Sequence, residues 1–282
     1  MSEPAAILDC NGRPLDLSRP RVMGILNVTP DSFSDGGRFF CLDKALSHAR
    51  CMVAEGADII DVGGESTRPG APEVGVDEEL SRILPVVEVL ANSLAVPISI
   101  DTMKSAVMRA AWGHGAGLIN DVSALQADPQ ALATVAELEA PVCLMHMKGT
   151  PRTMQENPEY KDVCGEVFGF LVQRAQTCIE AGIAPDRILL DPGIGFGKRV
   201  EHNLKLLKYL PGLIRHGYPV LVGVSRKSFI GKVLDLSIDE RLEAGLAIAA
   251  ISAWQGARII RTHDVAATSR ALSMTSALLT VN

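Results

Sequence analysis

Short apolar runs recur along the chain, most of them closed by a polar residue and followed by a longer stretch of helical periodicity. The first run, Val22-Met23-Gly24-Ile25-Leu26, stops at Asn27. Others follow at Asp58–Gly63, Pro97–Asp101, Leu118–Asp121, Val142–Met147, Arg187–Asp191, Pro219–Ser225 and Ala257–Arg261. Runs of this kind predict strands buried on both faces. The intervening segments predict helices: Leu42–Glu55, stopped by Gly56; a helix carrying Leu80, Ile83, Leu84 and Val87, capped by Asp77 and bent or displaced by Pro85; then Lys104–His114, Pro129–Leu138, Tyr160–Ala181, Glu201–Leu210, Asp239–Gln255 and Val265–Leu279.

Strand–helix alternation implies parallel strands joined by helical crossovers, and eight such cycles fit a closed (β/α)8 TIM barrel in a single α/β domain. An open doubly wound sheet is the alternative, but it gathers ligand contacts at one switch point. Here polar residues follow nearly every strand (Asn27, Asp61, Asp101, Asn120, Asp191, Ser225, Arg261), which favours the single mouth of a barrel. The barrel is expected over residues 15–282, behind a short leader over residues 1–14.

Composition narrows the picture. A chain of 282 residues, 47% hydrophobic and 21% charged, suits one barrel. The net charge of -6 comes without any Lys/Arg run, so a nucleic-acid partner is not expected. With 4% aromatic residues, the core must be built from Ala, Leu, Ile and Val. Six cysteines form no CxxC pair and read as free and reduced, which implies the cytoplasm. No signal-peptide core opens the chain, and Ala244–Trp254 is too short to span a bilayer, so no membrane partner is expected.

The candidate chemistry lies where strands end. Asp101, Asn120 and Asp191 can hold a flat heterocycle with several N–H donors; helix caps and salt bridges are the plainer alternative for each alone. Arg261 and His263 precede a helix start and read as an anion site, against the alternative of a core histidine. In Ser225-Arg226-Lys227-Ser228, Lys227 can touch a ring carbonyl or nitrogen and a serine can take a carboxylate. Two Gly- and Pro-bearing loops read as mobile: the one after Asn27, with Asp31, Phe33 and Asp35, and Gly64–Gly70, with Thr67 and Arg68. Asp191–Lys198 fails as a Walker A loop, since Pro192 and Arg199 occupy positions that need Gly and Ser or Thr; it reads as a strand-end acid and a loop presenting Phe196. Cys143 and His146 point to opposite faces of a strand, and no HExxH occurs, so no tightly held transition metal is expected.

The motifs GILNVTPDSFSDGG, DIIDVGGESTRPGA, ISIDT, LINDVSAL, LMHMKGTP, ILLDPGIGFGK, VGVSRKSFIG and RTHDV closely resemble those of the bacterial dihydropteroate synthase family of the folate pathway, from about Leu15 to the last helix. The resemblance implies an enzyme that joins a pterin bearing a 6-hydroxymethyl diphosphate to 4-aminobenzoate, releasing pyrophosphate with Mg2+ as cofactor. It implies that Asp101, Asn120, Asp191 and Lys227 hold the pterin, with Met145 beside it. Asn27, Arg261 and His263 would hold the diphosphate, Asn27 also lying against Mg2+. Thr67 and Arg68 would reach the substrate, while Phe33, Pro69, Phe196, Lys227 and Ser225 would shape the aminobenzoate pocket. Asp101, Lys227, Arg261 and His263 are the expected catalytic set. The family is usually homodimeric; the small-residue helix Glu243–Trp254 suits an interface, or equally burial against the barrel. No general base is aimed at the amine, and cations surround the leaving group, so an SN1-like displacement is expected. Two rivals are a corrinoid-dependent methyltransferase, which should lack the SRK and NVTPDSFSDGG segments, and a non-catalytic pterin binder, which would tolerate loss of Phe33, Thr67 or Lys227.

Overall fold

The computed structural model describes residues 7–28, 38–67 and 70–281. A small antiparallel hairpin, β1 (Ile7–Asp9) and β2 (Pro14–Asp16), comes first. Eight parallel strands follow: β3 (Arg21–Asn27), β4 (Ile59–Gly63), β5 (Ile98–Asp101), β6 (Leu118–Asp121), β7 (Val142–Met145), β8 (Ile188–Asp191), β9 (Leu221–Gly223) and β10 (Ile259–Thr262). Neighbours pair in the order β8-β7-β6-β5-β4-β3-β10-β9, and a parallel bridge between Leu190 and Val220 joins the two ends of that order. The sheet is therefore a closed barrel, as the alternation predicts. Around it run α1 (Arg38–Ala54), α2 (Val76–Ser93), α3 (Ser105–Gly113), α4 (Ala131–Glu137), α5 (Val163–Glu180), α6 (Val200–Lys208), α7 (Pro211–Ile214), α8 (Ser228–Leu234), α9 (Leu242–Trp254) and α10 (Val265–Thr280).

Two local expectations are corrected. Asp77 does not cap α2: the N-cap is Gly75, and Asp77, Glu78 and Glu79 occupy the first turn, where acids face the positive end of the helix dipole. Pro85 lies inside α2 and does not displace its start. The short helices α7 and α8 were not expected; each spans two turns or less, too little for a periodic signal.

Strand side chains alternate between two cores. Outward positions such as Val22, Leu26, Ile60, Val62, Ile98, Ile100, Leu144, Leu190 and Val222 pack with Ala45, Ile83, Leu171 and Leu206 of the helices. Inward positions near the strand starts, Met23, Ile59, Leu118, Cys143, Leu189, Leu221 and Ile259, form a separate cluster with Leu8, Cys10, Leu15 and Leu17. The hairpin thus plugs the N-terminal end of the barrel. Asn11 Nδ2 donates to the Ala116 carbonyl at 2.9 Å, and a Cβ at Gly117 would come within 2.4 Å of the Cys10 carbonyl oxygen. A boundary after residue 14 falls inside β2, so the described part of the expected leader belongs to the packed body. The reason is physical: an eight-stranded barrel open at one end would leave its lowest layer of inward side chains in water.

Leu15 is 4% exposed, so Leu15→Ala should cost roughly 2–5 kcal/mol of unfolding free energy in urea titration. A loss under about 1 kcal/mol would mean the hairpin does not close the floor.

Candidate active site

Above the aliphatic floor the inward positions turn polar. Strand register places Asn27 beside Gly63, Gly63 beside Asp101, Asp101 beside Asn120, and Met145 beside Asp191. Asp61 and Ser99 lie one inward step below Gly63 and Asp101 on β4 and β5, and Arg261 on β10 is in register with Met23, from where its long side chain reaches up to the acids. The strand-end residues expected to converge do so at one mouth, because parallel strands all end on the same side.

The centre of this mouth is a buried charge cluster. Arg261 Nε donates to Asp61 Oδ2 at 2.6 Å, and Nη2 donates to Asp101 Oδ2 at 2.9 Å. Asn120 Nδ2 donates to the same Asp61 oxygen at 3.2 Å. Asp61 is fully buried, and Asp101, Asn120 and Asp191 are nearly so. Two acids share one guanidinium, and the second oxygens, Asp61 Oδ1 and Asp101 Oδ1, have no hydrogen-bond partner among the described residues. Buried acceptors without donors are costly, so this geometry calls for a ligand rich in N–H groups. Burial pushes the Asp101 carboxyl up to about 7, against the pull of Arg261 and with the repulsion of Asp61. Burial opposes the Arg261 charge, but the Asp61 and Asp101 carboxylates outweigh it and hold the guanidinium above its ordinary value.

On the opposite side, Asp191 Oδ1 accepts from the Gly193 amide at 2.7 Å. Burial raises the Asp191 pKa, while that amide and the Lys227 charge oppose the rise. The Lys227 ammonium stands 4.2 Å from the centre of the Phe196 ring. Burial lowers its pKa to about 8, with Asp191 resisting and Arg261 adding to the fall. Met145 is buried beside Asp191.

A second cluster lies at the start of α10. Ser225 Oγ sits 3.1 Å from His263 Nδ1 and accepts from the His263 backbone N–H at 3.2 Å. Arg226 pairs with Asp264 at 2.7 Å, and its backbone has φ 57°, a left-handed conformation that a bulky cationic residue rarely adopts. Arg241 Nη1 donates to the Arg226 carbonyl at 3.2 Å and helps hold that turn.

Asn27 Oδ1 faces Gly63, where a Cβ would come to 3.8 Å from it and 3.9 Å from Asp101 Oδ2; the glycine keeps this part of the rim open. Thr67 is half-buried on the β4–α2 loop. That loop is tied down by Glu65, which accepts from the Val74 amide at 3.1 Å and pairs with Lys104, itself also paired with buried Glu79. Phe33, Arg68 and Pro69 lie outside the described residues. Among the described residues no group of three or more His, Cys, Asp or Glu side chains is arranged to hold a metal.

Sequence reasoning placed Asp61 at a strand end but gave it no role; the signal was a carboxylate inside the otherwise aliphatic run IIDVG. It also gave no role to the buried pair Lys198–His146, whose amino group and ring nitrogen are 3.1 Å apart.

Asp101 supplies a test through its proton. A carboxyl held near 7 when folded, against an ordinary 3.8, takes up a proton on folding between about pH 4 and 7. The sign follows: this contribution favours folding below about pH 4 and is lost as pH rises to 7. Between those pH values wild type should lose roughly 2–4 kcal/mol relative to Asp101→Asn in denaturant titrations. Parallel pH curves for the two proteins would refute the assignment.

Comparison with known proteins agrees with this geometry. The family model described as pterin binding enzyme matches residues 23–263. A dihydropteroate synthase of Haemophilus influenzae is 53% identical over 267 residues, covering 95% of this chain and 97% of that relative. A Yersinia pestis dihydropteroate synthase, solved as a sulfonamide drug complex, superposes with a TM-score of 0.92 at 50% identity, covering 98% of this chain and 100% of that one. A Xanthomonas albilineans dihydropteroate synthase with 4-aminobenzoic acid also gives 0.92 at 50% identity, covering 98% of this chain and 99% of that one. The chain belongs to the pterin-binding enzyme family, among the dihydropteroate synthases.

Proposed function

We infer that this chain transfers the pterinylmethyl group of (7,8-dihydropterin-6-yl)methyl diphosphate to the amine of 4-aminobenzoate, giving 7,8-dihydropteroate and pyrophosphate. The observation that carries this reading is the pair of buried, donorless oxygens on Asp61 and Asp101 at the mouth of the barrel. A pterin brings the N–H groups such a site lacks. In this reading Asp191, Asp101 and Asn120 bind the ring edges, Lys227 meets a ring carbonyl or nitrogen, and Met145 lies against a face. The diphosphate lies toward Asn27, Arg261 and His263, the last standing two residues before α10 begins. Ser225, Lys227 and Phe196 bound the aminobenzoate end, a role the family motifs also give to Phe33 and Pro69, and Thr67 and Arg68 are read as reaching the substrate.

Mg2+ keeps several waters and binds through one or two protein oxygens plus substrate phosphates, so a rim offering the Asn27 amide oxygen, without an acidic cage among the described residues, fits it. When bound it offsets charge on the diphosphate. The displacement itself is read as dissociative. The C–O bond breaks, its electron pair leaves with pyrophosphate, and the cation on the exocyclic carbon is delocalised by the pterin and stabilised by Asp101. The amine then forms the C–N bond and loses its proton to water. Ser225, Lys227 and Phe196 include no carboxylate to act as base, and a Lys227 pKa near 8 keeps that residue a cation at neutral pH.

The same reading takes in assembly and location. On the outer faces of the neighbouring helices α9 and α10, Ile251, Trp254, Met274 and Leu278 are each more than half exposed. The small residues of α9, Gly245, Ala249, Ser252 and Ala253, are the ones that face inward, so the proposed homodimer uses the large exposed side chains instead. Free thiols at Cys10, Cys51, Cys143, Cys164 and Cys178 support a reducing compartment, the cytoplasm. No helix among the described residues is long and apolar enough to cross a membrane.

Mixing the protein with the pterin diphosphate, 4-aminobenzoate and Mg2+ should release pyrophosphate with dihydropteroate. Asp191→Asn should raise the KM for the pterin diphosphate by roughly 10–100-fold, the value of one or two hydrogen bonds to a charged acceptor. An unchanged KM would sink the assignment of that carboxylate to the pterin. Sedimentation should give twice the chain mass of 30.1 kDa, and Trp254→Glu with Met274→Glu should yield the monomer. A monomeric wild type at working concentrations would refute the dimer.

A further inference from the structure

After β8 the chain runs through Pro192-Gly193-Ile194-Gly195-Phe196-Gly197-Lys198 into α6. Lys198 does not point to solvent; it is 3% exposed. Its amino group donates to the Phe196 carbonyl at 2.9 Å and to the His146 carbonyl at 3.1 Å, and lies 3.1 Å from His146 Nδ1; burial lowers its pKa to about 7, with the Asp191 charge resisting. Burial first, and the Lys198 charge second, push the His146 pKa down to about 3, so the ring is neutral and Nδ1 can accept. His146 follows β7 directly, so one amino group ties together the loops that leave two adjacent strands.

The tie is reinforced along its length. Gln155 Nε2 donates to the Gly195 carbonyl at 2.6 Å, and the Tyr160 hydroxyl donates to the Gly197 carbonyl at 2.8 Å. Arg199 reaches the Asn157 side chain. Backbone fit is close: a Cβ at Gly193 would meet the His146 carbonyl oxygen at 2.0 Å, and one at Gly197 would meet the Lys148 carbonyl oxygen at 2.5 Å. Gly193, Gly195 and Gly197 all have positive φ, at 66°, 87° and 63°. Such a backbone has little conformational stiffness of its own. Its position must come from its neighbours, and those named above belong to the β7–α5 loop. What they hold in place is Phe196, whose ring lies 4.2 Å from the Lys227 ammonium.

We propose that Lys198, assisted by Tyr160, is a positioning residue: it locks the β8–α6 loop to the β7–α5 loop and so fixes Phe196 as a wall of the aminobenzoate subsite. The barrel does not need this lock, because β7 and β8 pair through their own register from Val142 and Ile188 to Met145 and Asp191. The subsite does need it, since a misplacement of about 1 Å at a reacting centre can slow turnover by about 100-fold. This inference rests on the reaction proposed above.

The test compares wild type with Lys198→Met, Tyr160→Phe, Phe196→Ala and the Lys198→Met/Phe196→Ala double variant. Hydrogen–deuterium exchange of the amides over residues 193–197 and the KM of each substrate are measured. Lys198→Met should speed exchange in that loop and raise the KM for 4-aminobenzoate by about tenfold or more, well beyond the rise in the KM for the pterin diphosphate, which Lys198 reaches only through its charge on Asp191. Tyr160→Phe should move the same KM in the same direction, by less. Because Lys198 acts through Phe196, the double variant should be no worse for 4-aminobenzoate than Phe196→Ala alone. Additive effects, equal rises in both KM values, or unchanged loop exchange would overturn the proposal. If Lys198→Met does not fold, the same cycle with Tyr160→Phe decides. A wild type that turns over neither substrate would count against the proposed reaction instead, and the exchange data would still decide the lock.

Discussion

A guanidinium held between two buried carboxylates governs the rest of this structure. Taking ionisable groups out of water is expensive, and Asp61–Arg261–Asp101 sets two buried carboxyl groups against one guanidinium, with burial raising the Asp101 pKa to about 7. The arrangement persists because Asp61, Asp101 and Arg261 sit on strands whose own pairing fixes them. Gly63 separates Asn27 from Asp101 at the rim, and β10 pairs with β3, so Arg261 reaches inward across β3 to both acids. Fixed charges with open acceptor sites are prepared for a ligand that brings donors. They need no rearrangement when it arrives, which is the condition under which electrostatic stabilisation acts most strongly.

That cluster requires a dry floor. Met23, Ile59, Leu118, Leu189, Leu221 and Ile259 separate it from the N-terminal end, and Leu8, Leu15 and Leu17 of the hairpin seal them from below. The period-two alternation of each strand therefore does two things at once. Outward residues anchor the helices. Inward residues change from aliphatic to polar over two positions, as from Ile59 to Asp61, Leu118 to Asn120, Leu189 to Asp191 and Ile259 to Arg261.

Much of this was legible in the sequence. The apolar runs located all the barrel strands, and the polar residues ending them located the mouth, because strand direction in a parallel barrel is common to every strand. The hairpin was not legible: strands of three residues, Ile7–Asp9 and Pro14–Asp16, are too short for an alternation to register. The part played by Asp61 depended on which face of β4 it occupied and on Arg261, 200 positions away, reaching it. Lys198 was unreadable for a different reason: a lysine is nearly always a surface residue, and two of the three acceptors around this one belong to His146, about fifty residues earlier. Phe33, Arg68 and Pro69, three of the residues implied by the family motifs, fall outside the described residues, so the geometry bears on the other site residues alone.

Three of the loops around the mouth share a further feature. Each is fastened by a basic side chain bonded to groups in or beside the loops themselves. Lys104 holds Glu65 and Glu79 beneath the β4–α2 loop; Lys198 holds His146 and Phe196 beneath the β8–α6 loop; Arg226 holds Asp264 beneath the turn that carries Ser225 and Lys227. The last of these keeps a non-glycine residue at φ 57°, a conformation disfavoured by about 1–2 kcal/mol, which the Asp264 pair and the Arg241 hydrogen bond offset. Such fastenings separate two demands that otherwise conflict. In the proposed reaction the groups that meet the ligand, Asp61, Asp101 and Lys227, can stay short of hydrogen-bond partners and so remain open to a pterin, a phosphate or a carboxylate. The groups behind them bond mainly to one another and supply the rigidity, although Glu79 Oε1 has no hydrogen-bond partner among the described residues. A site built in this way divides the side chains left open to a ligand from those that hold the backbone of its loops.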